Sequence, residues 1–422
     1  MKNNEELNDN GIRINDRLKF IKTLLKRTNI TPIVDLGLCS SGTEYFHGDI
    51  SKETYNFSSI ISKIGGKLKY IKSGTTGHTF QGIYYPNESD KKKYISYAVK
   101  VVAYPCDEDS NDNEIYNIQR PENAELQILK VLSQFVITNQ TPHIVLPLVT
   151  FNSYIEPFIL LKENNYVNNK RYDNFVNRHS KGELHNIVSI LISEWANGGD
   201  LLEYFRNKLK SIDVKEWRIL LFQILSVLAV IHRKYPGFRH NDMKANNILL
   251  QLINQNIKGQ FFRYQIDGTI FYVPNIGYQI KLWDFDFACI SGIVENSKVN
   301  LEWTNSINIT KESNRYYDIC FFIISLQRPG FLQDMNFQEN IPKQVLEFFN
   351  SIVPQELINS TLVNERGRLL CDLEYTTPQE ILLNHSFFNK LRPKDNRLDE
   401  SLFNPSGKTQ LNNLLKKCNT IT

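Results

Sequence analysis

None of the six cysteines of this 422-residue chain (Cys39, Cys106, Cys289, Cys320, Cys371 and Cys418) stands at C-x-x-C or any other metal-ligand spacing. The chain is neither short nor secreted in texture, so reduced thiols are the better reading than a disulfide framework. A membrane-spanning stretch is missing as well. The longest apolar run, Ile219 to Ile231, is too short and is interrupted by Gln223 and Ser226. The N-terminus, MKNNEELNDNGIRIND, lacks the apolar core of a signal peptide. A dominant charge sign is absent too: the net charge is +4, which gives no warrant for a nucleic-acid partner. What is present is ordinary for a globular protein, with 41% hydrophobic and 22% charged residues. The length suffices for two or three structural units, expected in a reducing, cytoplasmic compartment.

No internal repeat is visible, but the texture changes along the chain. Up to about Gly66 one amphipathic helix is expected, around Arg17 to Leu25. From Lys67, short alternating runs (KLKYIKSG, HTFQGIYY, YISYAVKVVAY) predict an antiparallel sheet, continued by HIVLPLVTF and NIVSILISEW. ENAELQILKVLSQF, Glu122 to Phe135, predicts a helix with Ala124, Ile128, Leu129, Leu132 and Phe135 on one face. WRILLFQILSVLAVIHR has helix-core spacing and runs into FRHNDMKANNILL. Two stretches read as insertions, 162–183 and 253–279; the second carries a hairpin signal at Asp267-Gly268. The tail after Pro393 is polar and expected to be partly mobile.

Five features carry chemistry, each with a bland counterpart. SGTTGHTFQG places Gly74, Thr75, Thr76 and Gly77 between two strands, where backbone N–H groups can cover phosphates; an ordinary glycine hairpin would look the same. Lys100, in the strand YAVKVV, can grip the α- and β-phosphates of ATP if a helix carboxylate orients it, or simply point to solvent. Glu125 is the orienting candidate and Glu122 the fallback. ISEWANGGDLLEYF reads as a strand end, a Gly-Gly turn and a helix capped by Asp200, with backbone groups from Glu194 to Ala196 available to an adenine edge. HNDMKANN is the most specific. Asp242 can accept the proton of a substrate hydroxyl, Lys244 can neutralise the transferred phosphoryl group, and Asn247, five residues after the aspartate, can hold Mg²⁺. His240 is expected to brace the loop. Finally, the strand IKLWDFDFA ends in Asp284, the second metal ligand that such a site requires. The features occur in one order, and their joint occurrence points to a phosphotransferase.

On these motifs the chain resembles the eukaryotic-type protein kinase superfamily over roughly Lys67 to Pro393. TPQEILLNHSFF is similar to the last helix of the C-lobe. RYYDICFFIISL is similar to its central helix, with Asp318 bracing the catalytic loop, and Lys244 matches the serine/threonine arrangement. A closer resemblance is to the virion serine/threonine kinases of poxviruses and related large DNA viruses, carried by DFDFACISGIVEN and NRYYDICFF. The resemblance implies an α+β, bilobal kinase fold: a small antiparallel-sheet N-lobe with one main helix and a larger, mainly helical C-lobe. It implies an extension over 1–66, an N-lobe over 67–193, a C-lobe over 194–392 and a tail over 393–422. It also implies ATP and Mg²⁺ (or Mn²⁺) as cofactors and serine/threonine proteins as substrates, in host cytoplasm and virion.

The departures from the pattern are specific. Lys72 stands at the first glycine position of the loop, and Asn241 replaces the arginine that pairs with an activation-loop phosphate. Asp286 replaces the glycine after Asp284-Phe285, which should make a backbone flip harder. No A-P-E precedes the central helix, and its partner arginine is missing near Tyr375, so both ends of one ion pair are expected to be lost together. These departures predict a kinase without phosphate gating. Two rivals remain, a small-molecule kinase of the choline-kinase or aminoglycoside-phosphotransferase type, and a pseudokinase scaffold.

Overall fold

The alternating runs that begin at Lys67 form an antiparallel sheet in a computed structural model, which describes residues 5–6, 14–28, 30, 33, 52–74, 76–85, 93–106, 115–164, 169–253, 260–399, 403 and 405–419. The chain divides into two compact units: Met1–Asn139 with Val145–Trp195, and Gln140–Ile144 with Ala196–Thr422. Its class is α+β.

In the first unit the strands are β1 (Lys67–Ser73), β2 (Gly77–Tyr84), β3 (Lys93–Pro105), β4 (Pro147–Tyr154) and β5 (Leu184–Glu194), in the order β1-β2-β3-β5-β4. The short segment Glu5–Glu6 adds to β3 in parallel. The register places Lys100 of β3 opposite Thr79 and Leu191, while Val99 and Val101 on its other face are fully buried. This is the period-2 alternation of a half-buried strand. The unit also carries helices α1 (Ile14–Leu25), α2 (Phe57–Ile64), α3 (Pro121–Ile137) and α4 (Lys170–Ser180). Helix α2 lies outside the one helix expected before Gly66, yet its pattern is legible. Phe57, Ile60, Ile61 and Ile64 form one buried stripe, Asn56 caps the start, and Gly65 at φ +93° ends it.

The second unit is mainly helical. Asp200 caps α5 (Leu201–Lys208) and Asp213 caps α6 (Val214–Lys234), whose 21 residues form the apolar spine expected of them. Burying Trp217, Leu221 and Leu225 completely makes truncation there costly, about 2–5 kcal/mol per side chain. Short strands follow: β6 (Phe238–Arg239), β7 (Ile248–Leu252), the hairpin β8 (Phe261–Ile266) and β9 (Thr269–Pro274), then β10 (Tyr278–Leu282) and β11 (Cys289–Ile290). β10 pairs with β7 and β11 with β6, so the loops after β6 and β10 emerge side by side. The hairpin turns at Asp267-Gly268, both at positive φ, as its sequence required. It packs Tyr264 and Phe271 on Phe222 of α6. Helix α7 (Tyr317–Leu326) is buried all round; α8 (Lys343–Ile352) and α9 (Pro378–Asn384) pack on α6, α9 opened by a Thr377–Glu380 capping box. The tail differs from the expectation of mobility in one respect: Lys408–Asn419 forms helix α10 with Leu411 buried. No helix among the described residues is long and apolar enough to cross a membrane.

Candidate active site

The first unit contributes an ion pair. Lys100 Nζ lies 2.7 and 2.9 Å from the two carboxylate oxygens of Glu125 on α3. Glu122, the fallback, is turned instead toward Arg120 at 3.4 Å. The helix carrying Glu125 is anchored by a residue that no motif pointed to. Lys52 is buried and donates to Asn123 Oδ1 on α3 at 2.8 Å, to Tyr104 Oη at 2.8 Å and to Ser189 Oγ at 2.7 Å. Burial pushes its ammonium down to about 7, against the pull of Glu122 and Glu125.

The glycine turn is a hairpin closed by Gly74 N–H donating to the Gly77 carbonyl at 2.8 Å. Thr75 lies outside the described residues, and Thr76 sits at the turn. The two glycines differ in what demands them. A Cβ on Gly77 would fall 1.7 Å from the Val101 carbonyl, so strand packing alone requires glycine there, whereas one on Gly74 would meet only the Gly77 carbonyl at 3.8 Å. The root of the turn is braced through Asn169, Tyr70, Ser73 and His78, linked in series at 2.9, 2.8 and 2.9 Å. Asn169 caps α4, so the first insertion supports the turn. At the end of β5, the Glu194 carboxylate is taken by Arg17 of α1 at 2.7 and 2.8 Å and by the Leu146 N–H at 2.8 Å. Any role of Glu194 toward an adenine therefore rests on its backbone. Ala196 belongs to the second unit, where Gly198 and Gly199 exchange backbone bonds with Leu250 at 2.8 and 2.9 Å.

The second unit brings the HNDMKANN residues together. Asp318 of α7, fully buried, accepts the N–H groups of His240 at 2.8 Å and Asn241 at 3.0 Å. Burial pushes its carboxyl up from the ordinary range, although those N–H groups and the nearby His240 and Arg239 pull it back. His240 reaches the Trp283 carbonyl at 3.1 Å, the bracing role expected of it. Asp242 Oδ2 accepts from Lys244 Nζ at 2.8 Å and from Asn247 Nδ2 at 3.0 Å. The Asn247 amide nitrogen also donates to the Asp242 carbonyl at 2.9 Å, and its Oδ1 accepts from Asn246 Nδ2 at 3.4 Å. The Trp283 N–H donates to the Asn247 carbonyl at 3.2 Å, which places Asp284 beside Asn247. Asp284 is held at φ +63°, a left-handed conformation that glycine, asparagine and aspartate enter more readily than other residues. Two oxygen donors, one amide and one carboxylate, suit a hard cation such as Mg²⁺ that completes its shell with phosphate and water oxygens.

A model of the poxvirus serine/threonine protein kinase family matches residues 112–359. A serine/threonine-protein kinase of Acanthamoeba polyphaga mimivirus is 42% identical over 400 residues, covering 92% of this chain and 83% of that one. The chain belongs to the poxvirus serine/threonine protein kinase family. A second kinase of the same virus is 23% identical over 63% of this chain and 73% of its own length. A kinase of Invertebrate iridescent virus 6 is 42% identical over a 65-residue segment, 15% of this chain and 12% of that one. The enzyme class is thus a viral-type serine/threonine kinase.

In this kinase the segment between Phe285 and Asp318 is tied down by hydrogen bonds and ion pairs from the protein's own side chains. Asn241 Nδ2 donates to the carbonyls of Phe287 and Thr310, both at 3.0 Å, joining the start of the segment to its end. Arg239, fully buried, donates to the Asn308 carbonyl at 2.7 Å, Thr310 Oγ1 at 2.9 Å and the Glu312 carbonyl at 3.2 Å, with its guanidinium 3.9 Å from the Tyr317 ring centroid. The arginine thus stands two residues before the position where the kinase pattern has it, a shift readable in RHND but missed. Asn296 holds the carbonyls of Asp286 and Ala288 at 3.0 Å each, and the Asp286 carboxylate pairs with Lys298. A different ion pair stands near the one whose two ends the sequence lacks. Arg315 and Glu374 form it, at 2.5 Å, with the basic residue on the segment and the acidic one before α9. Burial alone would raise the Glu374 carboxyl, but hydrogen bonds and charge from Arg315 hold it below the ordinary range.

Proposed function

We propose that this enzyme transfers the γ-phosphoryl group of Mg-ATP to protein serine and threonine hydroxyls, with an activation segment that needs no phosphate to hold its shape. The observation that carries the reading is the Asp242–Lys244–Asn247 cluster on a loop pinned by Asp318. In this reading the two compact units are the small and large lobes of a bilobal kinase. Lys100, oriented by Glu125, grips the α- and β-phosphates, the turn from Gly74 through Thr75 and Thr76 to Gly77 covers them, and the backbone at Glu194 and Ala196 meets the adenine edge. Asn247 and Asp284 hold Mg²⁺ or Mn²⁺, whose charge offsets that of the phosphates. The hydroxyl oxygen bonds to the γ-phosphorus while the bond to the β–γ bridging oxygen breaks, and ADP leaves with that electron pair. Asp242 takes the hydroxyl proton and Lys244 stabilises the group in transit. The reading extends to a place in host cytoplasm and virion, in assembly; the relatives themselves are viral kinases.

The test is radiolabelled transfer from ATP to casein or myelin basic protein. Asp242→Asn should lower the rate by about a thousandfold or more while the protein stays folded, and the wild-type product should contain phosphoserine or phosphothreonine. Transfer to choline or an aminoglycoside instead would favour a small-molecule kinase. Equal inactivity of wild type and variant with either metal would favour a scaffold.

A further inference from the structure

Asp242 has one more partner, from a part of the chain that carries no kinase motif. Residues Asn364–Arg368 form a tight turn in which Asn364 Oδ1 accepts the Arg368 N–H at 2.9 Å and the Asn364 N–H donates to the Arg368 carbonyl at 3.0 Å. Gly367 turns the corner at φ +89°, and a Cβ there would press on Ile324 at 2.9 Å and on the Ser325 backbone at 3.2 Å. The turn is therefore seated on α7, and it sends Arg368 inward. Nη2 of this buried side chain donates to Asp242 Oδ1 at 2.5 Å. Nη1 donates to the Asn241 carbonyl and to Tyr317 Oη at 3.2 Å, and the guanidinium carbon lies 4.3 Å from the Phe321 ring centroid.

An arginine on the carboxylate that receives the substrate proton can act in two opposite ways. It can occupy the acceptor and block the hydroxyl, or it can fix the carboxylate and leave an acceptor site open. A block must be able to leave. Here the guanidinium spans the backbone and side chain of successive residues, bonds a tyrosine hydroxyl and lies on an aromatic ring, so no single rotation frees it. A carboxylate offers about four lone-pair positions. Arg368, Lys244 and Asn247 use three of them, which leaves one for an incoming hydroxyl.

We propose that Arg368 is a positioning residue for phosphoryl transfer, locking the orientation of the Asp242 carboxylate from the side opposite Lys244 and Asn247. The inference rests on Asp242 acting as the proton acceptor, as proposed above. Lysine cannot replace it, because one ammonium cannot span the Asn241 carbonyl and the Asp242 carboxylate as a planar fork does. Arg368 touches no substrate, so its removal should change turnover and leave nucleotide binding alone.

The experiment compares Arg368→Gln, Arg368→Lys and Arg368→Ala with wild type and Asp242→Asn in steady-state transfer to a protein substrate. Thermal stability with and without Mg-ATP is measured in parallel. Asp242 remains paired with Lys244 in every Arg368 variant, so none leaves it as an isolated buried charge. The expected result is a fall in kcat of about 30- to 100-fold, with the KM for ATP changed less than about threefold. Arg368→Lys should recover little, and added guanidinium ion should restore part of the activity of Arg368→Ala but none to Asp242→Asn. An unchanged or increased kcat in Arg368→Gln would overturn the proposal in favour of an inert contact or a block. So would a parallel loss of stability, ATP affinity and kcat without guanidinium rescue, which would mark a structural role only. If Asp242→Asn kept wild-type transfer, the assignment of Asp242 itself would fall. If Asp242→Asn were inactive and Arg368→Gln unaffected, only the inference about Arg368 would.

Discussion

Asn241 does three jobs at one position. Its backbone sits at φ +62°, a conformation asparagine tolerates better than most residues, its N–H is held by Asp318, and its amide bridges two segment carbonyls. An arginine there would add a third buried cation to Arg239 and Arg368. The sequence showed the substitution but not its consequence, because the carbonyls that the amide serves lie up to 69 residues away. Asn241→Ala should cost about 2–4 kcal/mol, from two orphaned carbonyls plus left-handed strain. Asn241→Gly should remove the strain and keep the orphaned carbonyls, so the difference between the two variants in denaturant melts isolates the strain. Both should speed hydrogen exchange between Phe287 and Thr310. Arg368 was illegible for a related reason: it stands 126 residues from Asp242, in a turn with no local signature.

Elements were easier to read where period and caps agreed. The long helix α6, the helix with Glu125, the Asp267-Gly268 hairpin and the Thr377–Glu380 capping box all follow from local pattern. What local pattern cannot show is which inserted element braces which motif. Helix α4 supports the glycine turn by packing Tyr172 and Phe175 against the His78 ring, at centroid distances of 5.4 and 4.4 Å. The ion pair between Arg315 and Glu374 belongs to the same class. Two residues 59 positions apart replace a motif pair with reversed polarity, so a search for the usual acidic and basic positions finds nothing. Both partners are partly exposed, so the pair is expected to contribute only about 1 kcal/mol. Arg315→Glu and Glu374→Arg should each destabilise, and the double variant should recover most of that loss in a double-mutant cycle of thermal melts. Unaltered melting in both single variants would show that the pair contributes nothing.

At the scale of the whole molecule, buried histidines set the acid limit of stability. Burial pushes His78 of the first unit and His232 of the second down to about 4. The unfolded chain takes up these protons near pH 6.5, whereas the folded chain resists until about 4. Stability is therefore full above roughly pH 6.5 and falls as pH drops through that window, by about 2 kcal/mol per histidine at pH 5. Melting temperature measured from pH 7.5 to 5 should show the decline, and His232→Gln, which keeps a donor for the Phe238 carbonyl, should flatten it. The family and the α+β class were legible because motif order survives substitution. The absence of phosphate gating was an expectation drawn from Asn241, but the contacts that hold the segment were not legible, because they join residues far apart in the chain. The central claim is a serine/threonine kinase whose segment from Cys289 to Arg315 needs no phosphate, because contacts such as those of Asn241 and Arg239 hold it. Its most direct test is the initial rate of labelled phosphate transfer by enzyme stripped with a phosphatase, the stripping checked by mass spectrometry. The account predicts a rate equal to that of the untreated enzyme from the first turnover, without a lag. A rate that starts near zero and recovers only as a phosphate returns to that segment would contradict it.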